Sequence, residues 1–84
     1  MWIVRIDKSV DKRLKRIPNP DNKRIKQALY DLKDKPEHLD IKPLEGRDCY
    51  RLRVGDWRLI MDIDEENKIF SVYTLAPRGD VYKK

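Results

Sequence analysis

Apolar positions recur along this chain with two different periods, and the changes of period mark out its elements. Trp2, Val4 and Ile6 fall on one side of residues 2–7, with Ile3, Arg5 and Asp7 on the other. β-Branched residues at a period of two suit a pleated surface, so an opening strand is expected here. Val10, Leu14 and Ile17 then recur at i, i+4 and i+7 among lysines and arginines. That is the stripe of a short helix, which Asp7 or Ser9 can cap and Pro18 ends. Asn19-Pro20 predicts the start of a second helix, with asparagine as N-cap and proline at the first helical position, running to about residue 35 before Pro36. Ile25, Ala28, Leu29 and Leu32 form its stripe. The short link between the helices predicts an antiparallel hairpin whose two stripes cover one common surface.

Residues 36–46 carry Pro36, Pro43 and Gly46 without periodicity and read as a loop. The period of two returns at Asp48, with Tyr50, Leu52 and Val54 facing one way and Cys49, Arg51 and Arg53 the other. Gly55-Asp56 is a two-residue turn signal, after which Trp57, Leu59, Met61 and Ile63 continue the apolar face. A polar turn at residues 64–67 leads to a last strand over residues 69–76, apolar on both sides, which Pro77 stops. The order β-α-α-β-β-β predicts one α+β domain over residues 1–84: a mainly antiparallel four-stranded sheet with the N-terminal helical hairpin packed on one face.

Composition narrows the chemistry. A chain of 84 residues is too small for a large enclosed pocket, so a site is expected on an open face. Lys and Arg number 20 against 15 acids, a formal charge of +5, which favours a polyanionic partner. Cys49 is the one cysteine, and no Cys/His group has zinc-ligand spacing, so neither a disulfide nor a metal or other cofactor is expected. The start of the chain does not read as a signal peptide, and a cytoplasmic protein is expected.

The hairpin sharpens this charge into a site. A two-residue turn pairs Val54 with Trp57 and therefore sets Arg53 directly opposite Arg58, with Arg51 two residues along the same face. Like charges facing each other across a sheet cost a few tenths to about 1 kcal/mol, a conflict that an anionic partner would remove. Guanidinium forks match phosphate oxygens and stabilise charge on a phosphate under attack. The C-terminus adds Arg78, Tyr82, Lys83 and Lys84, and Arg47 precedes the hairpin. Tyrosine and basic residues together suit single-stranded RNA.

Other candidates carry less. His38 has nothing beside it to fix a tautomer. Cys49 shares the arginine face without a partner histidine, Trp57 and Tyr50 lie on the apolar phase as core anchors, and Arg78-Gly79-Asp80 is a chance tripeptide.

Residues 42–60, with Glu45-Gly46-Arg47-Asp48-Cys49-Tyr50-Arg51-Leu52-Arg53 at their centre, resemble the central block of the RelE/ParE toxins, and Arg78-Gly79-Asp80-Val81-Tyr82 resembles their C-terminal signature. The resemblance implies the toxin of a toxin–antitoxin pair, encoded beside its antitoxin. In RelE-type members it implies a metal-independent endoribonuclease that cleaves messenger RNA in the ribosomal A site, the 2′-OH attacking the adjacent phosphate. The matching catalytic positions are Arg51, Arg53, Arg58, Arg78 and Tyr82, with Arg47, Lys83 and Lys84 as further RNA contacts. In the RelE type the first pair is lysine. Arginine stays protonated, so charge stabilisation carries over and the general base is left unassigned. A ParE-type gyrase inhibitor and an inactive RNA-binding relative are the alternatives.

Overall fold

A computed structural model describes residues 1–77. Its elements are β1 (Ile3–Ile6), α1 (Lys8–Lys15), α2 (Asp21–Asp34), β2 (Asp40–Pro43), β3 (Tyr50–Val54), β4 (Trp57–Asp64) and β5 (Ile69–Pro77), with a 3₁₀ turn at Pro36–His38 before β2. The sheet has five strands in the order β1-β5-β4-β3-β2, one more than the sequence predicts. It is mixed, because β1 runs parallel to β5 while the other pairs are antiparallel. The additional strand is β2, which occupies the stretch expected to be loop.

Both helices follow their apolar stripes. Asp7 caps α1, its carboxylate accepting from the Ser9 backbone N–H at 3.1 Å. α2 begins one residue later than expected: Pro20 rather than Asn19 stands at the N-cap, without a side-chain cap bond. The Asn22 side chain instead donates to the Leu14 carbonyl at 2.8 Å and ties the start of α2 to the end of α1. Val10 and Leu14 of α1, Ile17 in the bend just beyond it, and Ile25, Ala28, Leu29 and Leu32 of α2 are buried against Leu52, Leu59, Met61, Phe70, Val72 and Leu75 of the sheet. Removing such a side chain, for example Leu59→Ala, costs about 2–5 kcal/mol through lost transfer energy and the cavity left behind.

One irregularity sets the last strand. Ile60 pairs with Thr74 and Met61 with Val72, so Tyr73 is an extra residue in a β-bulge. The bulge shifts the phase of β5, and Phe70 and Val72 before it share the inner face with Leu75 after it. Pro77 is the last residue of that strand, opposite Trp57, and does not precede a break at Ala76.

Candidate nucleic-acid interface

The β3–β4 hairpin has the register its turn dictates. Val54 pairs with Trp57 and Arg53 with Arg58. Gly55 carries a φ of 60° at the first turn position, where a side chain would be strained. At the tip, the Trp57 indole N–H donates to Asp21 at 3.0 Å and fixes the hairpin to the first turn of α2.

The three hairpin arginines share the sheet's outer face but differ in environment. Arg53 is exposed, whereas Arg58 retains 4% and Arg51 9% of its surface. The arginines thus lie on the expected non-core face, but two of the three guanidinium groups are buried there rather than open to solvent. Arg51 is held by β2, its Nη1 lying 3.2 Å from the Asp40 carbonyl oxygen and 3.3 Å from the Asp40 carboxylate. Asp40 is also the cross-strand partner of Arg53, on the side away from Arg58. A carboxylate therefore flanks the like-charge pair, supplied by the strand the sequence did not reveal.

The same strand sets exposed Lys42 opposite Arg51, a basic contributor that sequence reasoning missed. Its membership of the arginine face depends on the β2 pairing, for which one apolar residue, Ile41, gives almost no periodic signal. Exposed Arg47 lies in the loop before β3. Tyr73, lifted by the bulge, engages Cys49 on this face. Although Tyr73 keeps 40% of its surface exposed, partial desolvation pushes its phenol up to about 12, reinforced by the hydrogen bond to Cys49 and the negative charge of Asp62, with Arg47 pulling the other way. Cys49 is buried, and His38 lies exposed in the 3₁₀ turn. Arg78, Tyr82, Lys83 and Lys84 lie outside the described residues.

The outer face thus combines fixed positive charge with an aromatic ring, a surface that binds a polyanion more readily than a small apolar ligand. Among the described residues no helix is long and apolar enough to cross a membrane.

Residues 4–82 match the family profile described as ParE toxin of type II toxin-antitoxin system, parDE. The chain belongs to the RelE/ParE toxin family. It is 34% identical over 84 residues to RelE1 of Methanocaldococcus jannaschii, a protein assigned as a toxin, covering 95% of this chain and 93% of the relative. In the crystal structure of the archaeal RelE–RelB complex from Pyrococcus horikoshii, a chain of 33% identity superposes with a TM-score of 0.79, over 93% of this chain and 96% of that one. In the RelB–RelE antitoxin–toxin complex from Methanococcus jannaschii the identity is 26% and the TM-score 0.73, over 93% and 94% of the two chains. Membership accounts for the element order and for the hairpin at the centre of the chain.

Proposed function

We propose that this member of the RelE/ParE family is the toxin of a toxin–antitoxin pair and acts as an endoribonuclease on messenger RNA in the ribosomal A site. The observation that carries the reading is the Arg53–Arg58 pair, like charges set opposite each other on a sheet face in a family of toxins. The relatives crystallised as RelE–RelB complexes support an antitoxin as the partner that restrains the activity.

In this reading the 2′-OH of one nucleotide attacks the adjacent phosphorus. A 2′-O–P bond forms as the 2′-OH proton passes to water, the P–O5′ bond breaks as O5′ takes a proton from water, and negative charge grows on the non-bridging oxygens. Exposed Arg53 grips the backbone, and Arg58, already desolvated, meets the developing charge without solvent reorganisation. Arg51, clamped by Asp40, holds the positive field in place. Arg78 and Tyr82 complete the site by the family pattern. No arginine takes the 2′-OH proton, so alignment by the ribosome supplies a large part of the acceleration.

A ParE-type reading, binding gyrase without cutting RNA, is favoured by one feature: arginine at both 51 and 53 leaves neither of these matched positions able to accept a proton. Induced expression with parallel pulse labelling separates the two. The messenger-cleavage reading expects protein synthesis to stop first, and DNA synthesis stopping first would replace it with the gyrase reading.

A further inference from the structure

A second basic site lies on the opposite side of the hairpin tip from the arginine face. A groove of about 630 Å³ is lined by Ser9, Lys12, Arg13, Arg16, Ile17 and Trp57. No carboxylate lines it, and among the described residues Lys12, Arg13 and Arg16 join no ion pair, whereas Lys15 on the same helix pairs with Asp11 at 3.4 Å. Three cations without an ion-pair partner among the described residues therefore line one concavity. Cations near a helix C-terminus favour the macrodipole, which explains basic residues late in α1. It does not explain why they share a groove with an indole.

Trp57 gives the groove its second character. Its N–H is committed to Asp21, so the ring is fixed, and it lines the groove while half-buried against the core. A held aromatic ring beside guanidinium and ammonium groups matches single-stranded nucleic acid, whose bases stack while its phosphates pair with the cations. An acidic peptide would satisfy the charges but leave the ring without a planar partner.

We infer that the groove between α1 and Trp57 binds a single-stranded RNA segment, separate from the phosphate held on the arginine face. Trp57 and Arg58 are neighbours in sequence on opposite faces of β4, so a strand passing over the Gly55-Asp56 turn contacts both sites. The inference rests on RNA as the substrate class, but its test requires no cleavage.

The chain has two tryptophans, so Trp2→Phe leaves Trp57 as the sole indole reporter. Titrating that protein with a short uridine oligonucleotide, without ribosomes, should quench Trp57. Three phosphate contacts predict roughly 20-fold weaker binding for a fourfold rise in salt. The combined Lys12→Gln, Arg13→Gln, Arg16→Gln variant should bind at least tenfold more weakly with an unchanged melting temperature, while Arg53→Thr, which removes a contact on the other face, should bind less weakly than the triple variant and reach the same Trp57 quench at saturation. Sedimentation with messenger-free ribosomes identifies the source: loss of co-sedimentation in the triple variant assigns the groove to ribosomal RNA, and retention assigns it to the messenger. Unchanged quenching in the triple variant, or equal quenching by polyglutamate of matched charge, would overturn the inference. A protein that binds RNA here yet cuts nothing would leave it standing and remove the nuclease reading instead.

Discussion

Arg53 and Arg58 stand directly opposite each other across the β3–β4 hairpin, one exposed and the other with 4% of its surface accessible. Asp40 on β2 flanks the pair on the Arg53 side. Arg53→Thr should therefore raise the melting temperature modestly, by an amount equivalent to a few tenths of a kcal/mol up to ~1 kcal/mol. The same change should weaken RNA binding. Sulfate at matched ionic strength should stabilise the wild type more than the variant, since an anion bound only by the folded state shifts the equilibrium toward it. Thermal melts of both proteins check this, and a lower melting temperature in the variant would make Arg53 a structural residue.

Asp40 holds Arg51 through its carboxylate and its backbone oxygen. Asp40→Ala leaves a guanidinium with 9% of its surface exposed short of its counter-charge, which should cost about 1–3 kcal/mol. Asp40→Asn, which retains an acceptor, should lose less. Denaturant unfolding of the two variants beside the wild type gives the comparison.

What was legible in the sequence follows from where the signal is local. The hairpin over residues 50–63 could be read to the register, because the Gly55-Asp56 turn and the alternation of Leu52, Val54, Trp57 and Leu59 specify the same pairing. The helical stripes were equally plain. β2 was not, since Ile41 is its lone inward apolar residue and it joins the sheet by pairing with β3. The buried face of β5 was ambiguous because the bulge at Tyr73 changes its phase midway, as Phe70 and Leu75 on one face attest. At the site, the arginine placement was legible and the burial of Arg58 was not, because burial depends on how neighbouring segments pack.

The phenol of Tyr73 is pushed up to about 12 chiefly by partial desolvation against the sheet, with the hydrogen bond to Cys49 beside it. Its folded pKa lies above the unfolded value, so the folded state holds the proton more tightly. The associated stability is fully present below the ordinary phenol range, about pH 10, and is lost as pH rises toward 12. Spectrophotometric titration should show one phenolate appearing near pH 12, a step that Tyr73→Phe removes. Persistence of that step in the variant would reassign it to another tyrosine.

The role proposed for the arginine face of β3 and β4 is to promote cleavage of messenger RNA within the ribosomal A site. Primer extension on purified translating ribosomes with added protein tests it most directly. Cuts in phase with the codons in the A site are expected, with a loss of about 10²-fold or more in rate for folded Arg58→Ala or Arg78→Ala. An intact messenger with active wild-type protein, or undiminished cutting by both variants, would contradict it.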